Sequence, residues 1–198
     1  MFGDPVKNTR NLGTHKFSEV CNAIGDGLHG TPKYDDDGEY YFINGNNLWD
    51  KKIVFTPETR RVGQDEFTKH YIALDDSTVL LSINGTLGKT ALYNGEKIVL
   101  GKSACYCRLK DCLDKVFVLE LFKNDAFQEF MNAKATGTTI RNFGLKALRD
   151  FKIIVPEFTQ QLQFADFIQQ ADKSKFELQR TLDELEATYK SLLRENLG

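Results

Sequence analysis

The sequence has no apolar stretch that approaches the length of a membrane span. Residues 1–10 are polar and contain Gly3 and Pro5, so they lack the apolar core of a secretory signal. With 41% hydrophobic and 27% charged residues, the composition is that of a water-soluble globular chain, and the cytoplasm is its expected location. An excess of positive charge is missing too. Twenty-six basic residues stand against 28 acidic ones, a formal charge of -2, which excludes the broad cationic surface of a freestanding, high-affinity DNA clamp. The acidic excess sits at the end: from Glu157 onward there are eight acids and five bases, and the rest of the chain is close to neutral.

Catalytic and metal motifs are also absent. Cys21, Cys105, Cys107 and Cys112 do not form the two close pairs that a zinc site normally uses. Cys105 and Cys107 fall in the strand-like run 103–109, where a period of two points both the same way as small, half-buried side chains. His15, His29 and His70 are scattered, and no serine lies in a Gly-x-Ser-x-Gly setting. The stretch Gly85-Thr86-Leu87-Gly88-Lys89-Thr90 has the end of a phosphate-binding loop without its beginning, because Ile83 stands where the first glycine belongs. Residues 91–95 then read as strand and turn where that loop needs a helix. Read as a plain turn, the segment brings backbone amides and Lys89 towards a phosphate backbone. Asp35-Asp36-Asp37-Gly38-Glu39 lacks the alternation and the downstream glutamate of a calcium loop and reads as a solvated turn. No cofactor or metal is expected, and the chain reads as non-catalytic, although a triad assembled from distant residues leaves no local trace.

What is present fits one domain with a core plus one appended element, in 198 residues and 22.6 kDa. Residues 17–109 read as short strands, with apolar runs at 40–43, 52–55, 79–83 and 97–100. Asn44-Gly45-Asn46-Asn47, Asn84-Gly85 and Asn94-Gly95 are the turn signals between them, so several loops should cluster at strand ends. From 115 to 134 the apolar spacing changes to three and four (Val116, Leu119, Phe122, Ala126, Phe127, Phe130), which predicts one helix ending near Ala135. A short helix over 144–149 and a strand over 151–155 follow, and Pro156 stops the strand.

The end of the chain carries the clearest periodicity. Phe164, Ile168, Ala171, Lys175, Leu178, Leu182, Leu185, Tyr189, Leu192 and Asn196 alternate steps of four and three, and eight of the ten are apolar or aromatic. That is a heptad seam, which needs a partner helix. Lys175 and Asn196 at seam positions favour one register at some cost in stability. A helix over 158–197 is about 60 Å long at 1.5 Å per residue, more than a domain of this size can cover. Its start, 158–167, suits packing on its own domain; 178–193 has little left to pack against. The reading is therefore α+β: a mainly-β domain over 1–156 with a few helices, then a long coiled-coil helix over 157–198 for dimerisation through Phe164, Ile168, Ala171, Leu178, Leu182, Leu185, Tyr189 and Leu192.

An ordered set of motifs supports a family resemblance. Residues 12–20, Gly27-Leu28-His29-Gly30-Thr31-Pro32-Lys33-Tyr34, and Tyr41-Phe42-Ile43 followed by Asn44 and Asn47-Leu48 come first. Residues 76–89 with their glycine turn, Gly137-Thr138-Thr139 and Ile153-Ile154-Val155-Pro156 follow. Together they resemble a target-recognition domain of type I restriction-modification specificity subunits, over almost the whole chain. After Pro156 that family shows a second proline, a leucine, Glu-Gln and Ile-Ala; here Glu157, Phe158, Gln160-Gln161 and Phe164-Ala165 stand there. Met1-Phe2-Gly3-Asp4-Pro5 resembles the junction after a preceding spacer helix.

The resemblance implies double-stranded DNA as ligand, a methyltransferase subunit and a restriction/translocase subunit as partners, and a homodimer of two readers on a bipartite site. It also implies that the chain corresponds to one half of a two-domain subunit, either a natural half-length form or a separately expressed half. The candidate base-contacting residues are Lys33, Tyr34, Asn44, Asn46, Asn47, Lys89, Lys102 and Arg141, all able to form hydrogen bonds from loops. Taken singly, each reads more readily as a solvated turn residue or an asparagine satisfying its own loop. A protein-interaction adaptor dimerising through the same helix, and a stand-alone enzyme, are the other classes the sequence leaves open.

Overall fold

The structure, a computed structural model, describes residue 8 and residues 12–197, with side chains through Arg194. The junction-like Met1-Phe2-Gly3-Asp4-Pro5 and the Asn196 side chain lie outside the described residues. In chain order the elements are β1 (Thr14–Lys16), β2 (Cys21–Asp26), β3 (Tyr40–Ile43), β4 (Leu48–Trp49), β5 (Lys52–Ile53), β6 (Arg61–Val62) and α1 (Gln64–Lys69). There follow β7 (Thr78–Ser82), β8 (Thr90–Leu92), β9 (Ile98–Leu100), β10 (Ala104–Leu109), α2 (Lys115–Lys123), α3 (Asp125–Lys134), α4 (Leu145–Asp150), β11 (Lys152–Ile154) and α5 (Phe158–Leu197). The fold is α+β, a head built on sheets followed by one long helix.

The central sheet runs β2-β10-β7-β8 and is antiparallel throughout. All of β7 is buried because both faces of this sheet are covered. Val79 and Leu81 point to the helical side, among Phe117, Phe122 and Phe127, while Leu80 points to the other, among Ile43, Leu48, Ile53 and Ala91. A two-sided sheet therefore explains an apolar run that does not alternate. Cys105 and Cys107 share the helical side, as their spacing requires, with Sγ atoms 3.9 Å apart. They are fully buried rather than half-buried, since the α2–α3 pair roofs that face.

The 115–134 stretch is two helices, not one. Asp114 caps α2 by accepting from the Val116 and Phe117 amides, both at 2.9 Å. Asn124 adopts an extended backbone, ends α2, and caps α3 by accepting from the Ala126 amide at 2.9 Å. The corner brings the Phe122 and Phe127 rings to 4.7 Å, and Phe130, Phe143 and Phe151 extend the aromatic cluster. Two other expectations change. Within 52–55 only Lys52–Ile53 is strand, with Val54 and Phe55 partly exposed, and the short helix α1 lies inside the stretch read as mainly β.

The chain returns to its start before leaving the head. β11 pairs antiparallel with β1, and the Val155 amide donates to the Gly13 carbonyl at 3.1 Å. After Pro156, α5 begins against the head. Gln161 is fully buried; its Nε2 donates to the carbonyls of Cys112 (2.9 Å) and Pro156 (2.8 Å), and its Oε1 accepts from the Asp114 amide at 2.9 Å. Ala165 is buried beside it, and Phe164 meets Phe117 edge to face at 6.2 Å. One further tie follows: Lys51 Nζ sits between Glu120 of α2, at 3.0 Å, and Asp172 of α5. Burial alone would pull the Lys51 pKa down; its bonds to Asp172 and Glu120 outweigh that and hold it above the ordinary lysine value. From Ala171 to Arg194 every residue of α5 is exposed. None of the helices among the described residues is long and apolar enough to cross a membrane.

Candidate nucleic-acid interface

Three chain segments meet at one end of the second sheet, β6-β3-β9. β3 and β9 are parallel, with Ile43 opposite Leu100, so both leave the sheet in the same direction and set Asn44 beside Gly101 and Lys102. The end of β2 joins them: the Leu28 amide donates to the Leu100 carbonyl at 2.7 Å, and the Lys102 amide to the Leu28 carbonyl at 3.0 Å. This approach needs glycine. A Cβ on Gly27 would lie 1.9 Å from the Leu100 carbonyl oxygen, and one on Gly101 would lie 2.3 Å from Asn44 Oδ1. Ser103 then ties the junction, its hydroxyl donating to Asn44 Oδ1 and accepting from the Gly45 amide, both at 2.9 Å.

These segments line a groove. His29, Thr31, Asn44 and Lys102 form one end over Phe42. Past Phe42 and Asn44 it continues to Tyr34, Asn46, Thr59 and Arg60, and from Arg60 to Arg61 and Asp36. The walls are stiffened by rings: Tyr34 meets Phe42 edge to face at 6.0 Å, and the Arg60 guanidinium lies 4.9 Å over Tyr34. Arg61 lies 4.6 Å over Tyr41 and donates to its hydroxyl at 2.6 Å. His29 Nε2 is 2.7 Å from Asp26 Oδ2, and Arg60 is 3.7 Å from Asp36. The groove thus offers amides, hydroxyls, a lysine and guanidinium forks, the side-chain types that pair with base edges, on a surface of mixed charge.

Four of the eight candidate residues come together here: Tyr34, Asn44, Asn46 and Lys102. Lys33 is exposed next to Tyr34, its amide on Glu66 at 3.2 Å. Asn47 touches the groove but is turned inward. Only 7% exposed, it accepts from the Asn44 amide at 3.0 Å and donates to the Val54 carbonyl and Thr59 hydroxyl, both at 3.1 Å. Lys89 lies elsewhere, 4.9 Å over the Trp49 ring. Arg141 is also separate and braces the end of α3 through Asn132 Oδ1 (2.7 Å) and the Asn132 carbonyl (2.6 Å).

The glycine turn at 85–90 does not present the amides expected of it. The Gly85, Gly88 and Lys89 amides are taken by the Arg141 carbonyl, the Ser82 carbonyl and the Ser82 hydroxyl, at 2.9, 3.0 and 2.8 Å. His29 and Thr31 lie in the motif at 27–34 but were not singled out as contacts, and Arg60 and Arg61 were passed over, their only cue being a basic pair in a polar turn. Among the described residues no group of three or more His, Cys, Asp or Glu is placed to hold a metal ion.

The heptad residues divide. Phe164 and Ile168 are half-buried near the head, and Ala171 is exposed. Leu178 (71%), Leu182 (50%), Leu185 (63%), Tyr189 (63%) and Leu192 (52%) are open to solvent.

Solved structures share this fold. The chain is similar to the S subunit of the type-I restriction-modification system from M. genitalium, with 19% identity and a TM-score of 0.56 over 83% of this chain and 40% of that one. It is similar to a chain of a type I R-M system whose structure concerns complex assembly and conformational transition, with 21% identity and a TM-score of 0.67 over 91% and 43%. It is also similar to the HsdS subunit from Thermoanaerobacter tengcongensis, with 16% identity and a TM-score of 0.61 over 86% and 39%. The chain spans about two fifths of the length of each. Among curated proteins nothing matches. The family model of the type I restriction modification DNA specificity domain matches residues 11–187. With nearly all of its length inside that model and its fold shared with S subunits, the chain belongs to the type I restriction modification DNA specificity domain family.

Proposed function

We propose that the chain is a non-catalytic reader of one half of a bipartite DNA site, acting in the cytoplasm within a type I restriction-modification complex. Residues 1–156 form the reader and 157–198 the dimerising and spacing helix. Two copies pair through Leu178, Leu182, Leu185, Tyr189 and Leu192, with Ala171 nearer the head, and Phe164 and Ile168 anchor the helix where it leaves its own domain. The observation that carries the reading is the apolar stripe on a helix that has left its head, since exposed leucines at heptad spacing call for a second helix.

In the groove, Asn44, Asn46, Lys102 and Arg60 supply paired donors and acceptors to base edges in the major groove, and Tyr34 and Lys33 flank them. Phosphate grip is shared with a methyltransferase subunit, in keeping with the near-neutral charge of this chain, and cleavage belongs to a restriction/translocase subunit.

Selection of random duplexes by the chain together with a type I methyltransferase subunit tests this. Two inverted copies of one half-site at a fixed separation are expected, because a two-fold protein dimer imposes its symmetry on the DNA. A single uninterrupted site would refute the pairing, and no enrichment would refute DNA reading.

A further inference from the structure

A second pocket opens beside the long helix, apart from the groove. Trp49, Asp50, Gly88, Lys89, Thr90, Lys123 and Lys175 line it, drawing on the β4–β5 hairpin, the glycine turn, the end of α2 and α5. The indole is 62% exposed and carries Lys89 Nζ over its face at 4.9 Å. Three ammonium groups face a single carboxylate, Asp50. Lys123 shares Glu120 at 3.4 Å, but no carboxylate of the described residues lies in ion-pair range of Lys89 or Lys175. With the indole N–H included, the side chains around the opening are rich in donors and poor in acceptors, the composition that suits an anion.

We infer that this pocket holds a backbone phosphate of duplex DNA just outside the half-site read in the groove. The assignment rests on the DNA-reading proposal above and extends it to a second contact. Lysine is a point charge without the planar fork that discriminates bases, so contacts made here position the duplex and do not specify its sequence. Distance is right for the same duplex: Trp49 lies three residues after Asn46, which limits their separation to about 10 Å. That is roughly three steps of 3.4 Å along one DNA strand. Because Lys175 belongs to α5, the contact couples the duplex to the helix as well as to the reader.

Trp49 is the only tryptophan of the chain, so its emission reports on this pocket alone. The test compares the wild-type chain with a Lys89→Gln/Lys175→Gln variant binding fluorescently labelled duplexes, target and non-target, over a series of salt concentrations. In the variant, affinity should fall by the same factor for both duplexes, and the slope of log K against log salt should shrink by about 0.9 for each lysine. Duplex should shift Trp49 emission in the wild type and not in the variant. If the wild type binds duplex, yet the slope is unchanged by the substitutions and Trp49 emission is silent, the pocket is not a phosphate site and the groove reading survives. Trp49 emission that responds to the methyltransferase subunit but not to duplex would assign the pocket to a protein surface and overturn the inference. No salt-dependent duplex binding by the wild type, alone or together with a methyltransferase subunit, would remove both.

Discussion

The two ends of α5 share one heptad pattern and meet opposite surroundings. Near the head, Phe164 packs on Phe117, Ala165 is buried and Gln161 is held by three hydrogen bonds. Beyond Ala171 the same spacing of apolar residues faces water. A seam thus tells that something covers a helix without telling what; the head's own core covers the first turns, and the remainder is exposed along its whole length.

Breaking the far end should have the largest effect. Leu182→Glu with Leu185→Glu places charge in the stripe and should abolish self-association, read by sedimentation over a range of concentrations, while the melting of the head stays unchanged. If the double variant still pairs like the wild type, the stripe is not the interface. Breaking the near end should give the reverse. Gln161→Ala strands the Asp114 amide and two carbonyls and should lower stability by about 2–4 kcal/mol in urea unfolding, whatever the oligomeric state.

The tie between head and helix should weigh less. Lys51→Met removes the link to Asp172 and Glu120 and should cost about 1 kcal/mol at neutral pH. Because the folded-state pKa of Lys51 is raised, its contribution is fully present below 10.5, the ordinary value, and fades as pH rises through the raised value. Urea midpoints of wild type and variant should therefore converge in alkali; a gap that persists there would assign the effect to packing and not to charge. The smallest effect concerns the sheet under the helices. Cys21, Cys105 and Cys107 are buried and Cys112 is exposed, and burial, reinforced by Cys105 and Cys112, pushes the Cys21 thiol up to about 12. One thiol in four should react with a disulfide reagent in the native chain, and all four after unfolding.

The same contrast shows what a sequence can reveal. Tyr40–Ile43 and Phe158–Leu197 were legible because their signal is local: a short β-forming run between turns, and a seam of alternating steps of four and three from Phe164 onward. The break at Asn124 was not, because Leu119, Phe122, Ala126 and Phe130 keep steps of three and four across it and only the Asn124 cap marks the corner. α1 has one apolar residue, Phe67, among six and gives no period to read. The groove is the least local feature. Asn44 and Lys102 meet because β3 and β9 are parallel, and parallel pairing leaves no mark at either strand. Asn44, Asn46 and Asn47 look alike in one turn; only the folded chain turns Asn47 inward to Val54 and Thr59 and leaves Asn46 facing outward.

The β4–β5 hairpin turns on Asp50 and Lys51, at φ 44° and 71°, where a glycine would rest more easily. A left-handed lysine gives up roughly 1 kcal/mol of backbone comfort, yet only a side chain can reach across to the helix. A glycine in its place would make a more relaxed hairpin and leave Glu120 and Asp172 without their common cation, so that in the pairing proposed above two heads would keep a poorer common aim.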